Sequence, residues 1–230
     1  RRISLAEARR AGVKRGPMPR TINTIEELLD TLSALPAGAR RLVAIAGAPG
    51  SGKSTLADDL VSRLNQEVPG SAAVIPMDGF HLDDGLLTAR ETLSRKGAPY
   101  TFDVGGLAVM LRRLSENAED EVIVPLFDRK LEISRAGARA VPASIPLLVV
   151  EGNYLLLDEP GWRDLGAIFD LTISLDVPFE ILERRLLQRW KDMGFAPEAA
   201  HAKAYENDLP NAKTVIDRSH PADIVFRPVG

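Results

Sequence analysis

Residues 47–54 read GAPGSGKS, which matches the phosphate-binding pattern G-x-x-x-x-G-K-[ST] at every fixed position. The short apolar run before it, 42–46, predicts a buried strand, and the leucines of 55–66 recur at helical spacing. A strand, a glycine-rich turn and a helix in this order bring backbone N–H groups and the positive helix end to one point. We therefore predict a nucleoside triphosphate site, in which Lys53 contacts the β- and γ-phosphates and the Ser54 hydroxyl binds Mg²⁺. The residues expected around the phosphates are Gly47, Ala48, Pro49, Gly50, Ser51, Gly52, Lys53, Ser54 and Thr55.

The length and composition limit the class of protein. A chain of 230 residues, 45% hydrophobic and 27% charged, fits one large α/β domain or one domain with an insertion. It has no cysteine, which excludes disulfides and thiolate metal sites. No apolar run approaches the ~20 residues that span a bilayer, and no secretory signal pattern is seen at the start. We expect a cytoplasmic protein without a membrane partner.

The charge is unevenly distributed along the chain. Residues 1–20 hold seven Arg or Lys and one acid, a net +6, which leaves −9 for the remainder of a chain whose net charge is −3. A basic arm could bind nucleic acid or an acidic surface, or serve as a transit peptide. This arm has no aromatic residue for stacking on bases, so we do not expect a nucleic-acid partner. We predict a mobile basic arm at 1–20 and a single domain at 21–230.

Apolar runs alternate with amphipathic stretches along this domain, which predicts an α/β fold with a mainly parallel sheet and helices on both faces. The predicted strands are 42–46, 72–77, 122–127, 147–150, 170–175 and 222–226. The predicted helices are 24–35, 86–93, 107–117, 179–190 and 197–207, together with one that begins at Lys53 and continues through 55–66. Residues 128–144 read as a basic excursion, and the long polar segment 78–106 is typical of a site or a lid.

Three acids follow predicted strands: Asp78, Glu151 and Asp176. Ligands of open parallel sheets bind at the carboxyl ends of the strands. Two carboxylates beside a phosphate loop could divide the chemistry, one holding Mg²⁺ and the other accepting a proton from an attacking hydroxyl. Gly79 and Gly152 directly follow the first two acids and would leave the backbone free to turn away from the site. Turn or capping roles remain open for both acids, and for Asp176 helix capping is the preferred interpretation.

Two other motifs indicate different classes of protein. Residues 155–160, LLLDEP, look like the Mg²⁺- and water-binding segment of transporter ATPases, but 130–146 contain no LSGGQ signature. Residues 103–106 match the D-x-x-G motif of switch GTPases, but no apolar strand precedes them and no N-K-x-D motif exists. Both classes are therefore disfavoured.

The order of motifs over about 24–228 resembles the uridine kinase / pantothenate kinase / phosphoribulokinase group of P-loop kinases. The segments that carry the resemblance are GAPGSGKST (47–55), PMDGFH (76–81), RKGAPYTFD (95–103), PLFD (125–128), VVEGNYLL (149–156), ERRLLQRW (183–190) and ADIVFRP (222–228). The DGFH and RKGAPxTFD forms look closer to a branch labelled nucleoside/nucleotide kinase-like or fructose transport system kinase. The resemblance implies a three-layer P-loop NTPase fold with a mainly parallel five-stranded sheet and a helical lid at about 184–205.

The resemblance also implies roles for individual residues. Asp78 would be the catalytic base, Asp103 would contact substrate hydroxyls, and Glu151 would lie near the metal. Arginines of the lid helix would bind the donor phosphates and the transferring group: Arg185 and Arg189, with Arg184 as a further candidate.

This sequence departs from the uridine kinase pattern at several positions. The aromatic that stacks on the base in uridine kinases is Phe127 here, where plain packing is an equal alternative. The histidine that follows the FD pair is Val104, and the second arginine cluster of the lid is replaced by 192–195. These departures argue against a pyrimidine nucleoside as the acceptor. His81, three residues after Asp78, is a further candidate for substrate contact.

The expected activity is transfer of the γ-phosphoryl group of ATP, with Mg²⁺, to a hydroxyl of a small molecule, with a sugar or nucleoside preferred. Segments 78–106 and 125–144 would face this acceptor, with Arg95 and Lys96 available for an anionic group. Asn207, Pro210 and Asn211 would lie at the adenine end. The alternative is a partner-driven ATPase or a nucleotide-binding regulator without a metabolite acceptor. The sequence leaves open which acceptor is used, with pantothenate-like and glycerate-like acids as further candidates. It also leaves open the choice between ATP and GTP and whether the chain forms a homo-oligomer.

Overall fold

The computed structural model describes residues 18–228, so most of the predicted basic arm lies outside the described residues. The described chain contains eight strands: β1 Arg20–Ile22, β2 Arg41–Ala46, β3 Ala72–Pro76, β4 Glu121–Asp128, β5 Ile133–Pro142, β6 Leu147–Gly152, β7 Leu171–Leu175 and β8 Ile224–Phe226. Its α-helices are α1 Ile25–Ser33, α2 Lys53–Glu67, α3 Asp84–Ala89, α4 Val104–Glu116, α5 Phe179–Asp192, α6 Pro197–Lys203 and α7 Leu209–Arg218. Between residues 18 and 228 no helix is long and apolar enough to cross a membrane.

Six of these strands form one parallel sheet in the order β1-β8-β7-β2-β6-β3. The predicted mainly parallel sheet is confirmed, but the expected number of five strands is wrong. The additional strand, β1, has only three residues and pairs with β8 from Arg20↔Ile224 to Ile22↔Phe226. It buries only Ile22, so it carries no apolar run that sequence reasoning could detect.

The predicted strand 122–127 exists but does not belong to this sheet. As β4 it pairs antiparallel with β5 in a separate two-stranded hairpin. The basic excursion predicted at 128–144 is therefore mostly the second strand of that hairpin. Most of β5 is exposed or half-buried, and a strand with no buried face lacks the alternation of apolar and polar residues that identifies strands in a sequence.

Side chains of β2 alternate between two hydrophobic cores. Leu42, Ala44 and Ala46 join one core together with α4, α7 and the β4–β5 hairpin. Val43 and Ile45 join the other core, which the leucines of α1 and α2 complete. A parallel sheet covered on both faces in this way gives the predicted three-layer α/β architecture.

Helix boundaries follow local capping more closely than hydrophobic periodicity. Helix α2 begins at Lys53, as predicted. Helix α4 begins at Val104, three residues before the predicted start, because the Asp103 side chain caps it by accepting from the Gly106 N–H. The predicted helix 197–207 continues past α6 as a π-helix, Ala204–Asp208, which leads directly into α7.

Candidate active site

The phosphate loop wraps the amino end of α2. Gly50 and Gly52 have φ of 79° and 92°, which side chains other than glycine rarely adopt. A Cβ on Gly47 would lie 2.7 Å from the Ser51 hydroxyl oxygen, so the loop closes on itself without room for a side chain there. The backbone N–H groups at the helix start, beginning at Lys53, form a site suited to an anion.

Ser54 and Glu151 supply the candidate metal ligands. The Ser54 hydroxyl donates to Glu151 Oε2 at 3.0 Å, and Glu151 is only 5% exposed. Burial raises the pKa of the Glu151 carboxyl, and the nearby Lys53 ammonium opposes that shift. Mg²⁺ takes oxygen ligands and is commonly held by one or two carboxylates together with substrate phosphates. A hydroxyl and a carboxylate this close fit that ion, and among residues 18–228 no group of three His, Asp or Glu side chains could hold a metal by itself.

Lys53 is half-buried and lies near Asp78 and Glu151, the two carboxylates identified from the sequence. Burial lowers the pKa of its ammonium, and attraction to Glu151 and then Asp78 opposes this. The strand register explains the convergence, since Pro76 of β3 pairs with Glu151 of β6 and Asp78 follows two residues later. The sheet therefore brings Lys53, Asp78 and Glu151 together at its carboxyl edge.

Asp78 lies on a 3₁₀ turn, Met77–Phe80, immediately after β3. Its carboxylate accepts a hydrogen bond from Arg129 Nη2 at 2.9 Å. Arg129 stands in the turn of the β4–β5 hairpin and was not singled out from the sequence, because nothing local marks it within segment 125–144. It is a candidate site residue that only the tertiary structure identifies.

Gly79 and Gly152 have a different role from the one predicted. Neither has a positive φ, so neither is needed for backbone freedom. A Cβ on Gly79 would lie 2.4 Å from the carbonyl oxygen of Pro125, and one on Gly152 would lie 2.5 Å from Cβ of Met77. Both glycines permit close packing, and Gly79 in particular lets the hairpin approach the turn that carries Asp78.

His81 and Phe127 form an aromatic surface next to Asp78. The His81 ring lies 4.6 Å from the Phe127 ring and 4.1 Å from the Phe102 ring, centroid to centroid. Its Nδ1 lies 2.8 Å from the Asp78 carbonyl oxygen. Burial lowers the pKa of His81, more than Asp78 raises it, so the ring is neutral near pH 7. The structure thus brings the predicted substrate residues His81 and Phe127 to the same side of the site.

Asp103 follows the isolated bridge between His81 and Phe102. Its backbone N–H donates to the Phe80 carbonyl at 2.8 Å, and its side chain caps α4. This places Asp103 beside the turn that carries Asp78. A substrate contact by this carboxylate stays a prediction.

The arginines of α5 differ in their surroundings. Arg185 Nη1 lies 3.3 Å from the carbonyl oxygens of both Gly50 and Ser51, directly against the phosphate loop. Arg189 Nη2 donates to Asp208 Oδ2 at 3.0 Å, and Arg189 is near enough to Lys53 to contribute to the lowering of its pKa, although burial is the largest cause. Arg184 is exposed.

Asp176 does not cap a helix. Helix α5 begins after Pro178 without a side-chain cap, and the Asp176 carboxylate instead pairs with Arg227 at 2.6 Å. The capping prediction was wrong because two residues, Val177 and Pro178, separate the acid from the helix start.

The LLLDEP segment is not part of the site. Its leucines are buried, while Asp158 pairs with Arg163 and His220 and Glu159 pairs with Arg218. Both acids are therefore engaged in surface ion pairs. This agrees with the sequence analysis, which disfavoured a transporter ATPase.

Arg95 and Lys96 are engaged within the chain. Lys96 Nζ contacts Asp84 Oδ1 at 2.6 Å and the Glu132 carbonyl at 2.5 Å, and it lies 5.4 Å from the centre of the Phe127 ring. Arg95 contacts the Glu206 carbonyl and the Asn211 side chain.

A phosphate loop, a carboxylate at the end of the neighbouring strand and an arginine-bearing helix against the loop define the class of P-loop kinases. Within this class, residues 42–230 match the family model "Phosphoribulokinase / Uridine kinase family". The chain belongs to that family.

Individual relatives agree with this assignment. A crystal structure of a "putative fructose transport system kinase" from Silicibacter sp. TM1040 is 48% identical, with a TM-score of 0.82, over 88% of this chain and 98% of that chain. "Uncharacterized protein YggC" of Escherichia coli K12 is 35% identical over 88% of this chain and 85% of its own length. "Putative uridine kinase C227.14" of Schizosaccharomyces pombe is 30% identical over 82% of this chain and 83% of its own length. The relatives support a kinase-type function.

Proposed function

We propose that this protein transfers the γ-phosphoryl group of ATP to a hydroxyl of a small polar metabolite, a sugar or a nucleoside. The observation that carries the proposal is the position of Asp78. Its carboxylate shares the carboxyl edge of the sheet with Lys53 and the hydrogen-bonded Ser54–Glu151 pair. A potential general base is therefore next to a potential phosphoryl donor site.

On the donor side, the loop backbone and Lys53 bind the β- and γ-phosphates of ATP. Ser54 and Glu151 would hold Mg²⁺, which when bound neutralises charge on the phosphate oxygens. Arg185, held against the loop, and Arg189, farther along the same helix face, supply positive charge where negative charge is shared in the transition state.

On the acceptor side, Asp78 accepts the proton of the attacking hydroxyl. The aromatic rings of His81 and Phe127 provide a mostly apolar surface for the carbon skeleton of the acceptor. Asp103 contacts a further substrate hydroxyl. Catalysis of this kind depends mainly on positioning and electrostatics rather than on covalent chemistry with the protein.

A screen of ADP release tests this function. Purified protein with MgATP is offered sugars, nucleosides and small hydroxy acids, and we expect ADP release that depends on one acceptor class. Mass spectrometry of the acceptor then verifies that it gained a phosphoryl group. ADP release without any acceptor, stimulated instead by a protein partner, would contradict the proposal and favour the partner-driven ATPase.

A further inference from the structure

A π-helix joins the two halves of the candidate site. Residues Ala204–Asp208 form this π-helix between α6 and α7. Extra residues in a helical turn strain its hydrogen bonding, and such π-turns occur frequently at functional sites. Here the π-helix contacts α5, which carries Arg185 and Arg189, and also the loop that contains the 3₁₀ turn Leu93–Arg95 and continues through Gly97.

The contact with α5 is made by Asp208. This carboxylate is 7% exposed, and a single oxygen, Oδ2, accepts from Arg189 Nη2 at 3.0 Å and from Trp190 Nε1 at 2.6 Å. Burial raises the pKa of Asp208, and the Arg189 charge opposes that shift. A buried carboxylate that accepts from an arginine and an indole fixes the direction of both side chains.

The contact with the loop is made by the neighbouring residues. Asn207 Nδ2 donates to the Lys96 carbonyl at 2.8 Å, and the Glu206 carbonyl accepts from Arg95. Arg95 also donates to Asn211 Oδ1 at 3.3 Å, and Asn211 in turn donates to Asn207. The backbone of the loop is thereby held by the same π-helix that holds Arg189.

We propose that Asp208 and Asn207 are positioning residues that couple Arg189 on the lid helix to the 93–97 loop on the acceptor side. Because they are consecutive in the π-helix, a shift of one displaces the other. Lys96 contacts the hairpin turn at Glu132, and its ammonium lies over the Phe127 ring, so the coupling extends to the surface assigned to the acceptor. The catalytic part of this proposal rests on the proposed function, whereas the mechanical part does not.

Hydrogen exchange of the free protein tests the mechanical part. Asp208→Asn should accelerate exchange by about tenfold not only at 185–192 but also at 95–98, which Asp208 does not contact. Asn207→Ala should accelerate exchange at 95–98 and, through Asp208, at 185–192. The matched control is Asp217→Asn on α7, which removes a surface carboxylate paired with Lys213 and should change neither segment.

The outcomes are distinct. If each variant accelerates exchange only in the segment that it contacts, the coupling is overturned. Circular dichroism verifies that Asp208→Asn folds; if it does not, Asn207→Ala alone decides the question through the segment 185–192.

Kinetics with an acceptor found by the screen test the catalytic part. Asp208→Asn should raise the KM for the acceptor as well as lower kcat. The double variant, which combines Asn207→Ala with Asp208→Asn, should have a kcat/KM no lower than that of the more impaired single variant. If the two substitutions lower kcat/KM multiplicatively, the two residues act independently and the coupling is refuted. Absence of acceptor-dependent turnover in the wild-type protein would refute the proposed function and leave the exchange result standing.

Discussion

Asp78 lies near two cations, the Lys53 ammonium and the Arg129 guanidinium, which belong to different elements of the chain. Lys53 belongs to the phosphate loop, whereas Arg129 reaches Asp78 from the turn of a hairpin. The hydrogen bond from Arg129 orients the Asp78 carboxylate, which is what a general base requires. The assignment can be tested by changing each partner separately.

Replacing Asp78 with Asn removes the proposed base while preserving size. We expect acceptor-dependent turnover to fall by about two orders of magnitude or more, with little change in ATP affinity. Steady-state ADP release and calorimetric ATP titration measure the two quantities. The control is Asp83→Asn. Asp83 is exposed, and an asparagine can also accept the capping hydrogen bond from the Gly85 N–H. Full turnover in Asp78→Asn would refute the base assignment.

Replacing Arg129 with Gln leaves Asp78 without its hydrogen-bond donor. We expect kcat to fall about tenfold, which corresponds to roughly 1.4 kcal/mol in the barrier. The unfolding free energy should change by less than about 0.5 kcal/mol, because the Arg129 side chain is 69% exposed. Arg135→Gln, which removes the other hairpin arginine paired with an acid, Asp128, serves as the comparison. Equal kcat values for the two variants would argue against a specific role for Arg129.

At the scale of elements, the β4–β5 hairpin is held against the sheet by close backbone packing. Gly79 allows the hairpin to approach the turn after β3, and Ser134 adds a hydrogen bond from its hydroxyl to the His81 carbonyl at 3.0 Å. The hairpin thus brings both Phe127 and Arg129 to the acceptor side.

A methyl group at position 79 should separate these elements. Because the obstructing atom belongs to the Pro125 backbone, we expect Gly79→Ala to lower the unfolding free energy by about 1–3 kcal/mol. Urea denaturation measures the change. Gly166→Ala is the matched control, since a Cβ there meets nothing within 4 Å, and it should be neutral or slightly stabilising. Equal stability of the two variants would show that the hairpin can move away without cost.

At the scale of the whole molecule, the site occupies the carboxyl edge of a sheet in which β2 is flanked on both sides by later strands. Residues from β2, β3 and β6 meet there because parallel strands end on the same side. Groups buried at this edge link the titration of the site to the stability of the fold.

His81 gives this linkage a predictable sign. Burial lowers its pKa in the folded state below the ordinary 6.5, while Asp78 partly opposes the shift. The unfolded chain therefore binds this proton more readily, and stability is lost as pH falls below 6.5, by at most about 1.4 kcal/mol per pH unit. Thermal melts from pH 7.5 to 5 should show a steeper decline for the wild type than for His81→Gln. Parallel curves would contradict the prediction.

Much of the donor site could be predicted from sequence because its parts are local. The phosphate loop is one continuous segment, and the start of α2 at Lys53 follows directly from it. The acids Asp78 and Glu151 are identified by the ends of apolar runs, and parallel pairing then brings them together. The acceptor side could not be predicted in the same detail, because Arg129 and the link through Asp208 depend on contacts between residues far apart in the chain.

The sequence by itself determined the α/β class, the phosphate loop and the two carboxylates, since hydrophobic periodicity and glycine spacing act over a few residues. Tertiary structure alone decided that the sheet has six strands, that 122–127 leaves it to form a hairpin, and that Gly79 is there for packing. The physical reason is that strand partners and interatomic clearances are set when distant segments pack, and no local pattern records them.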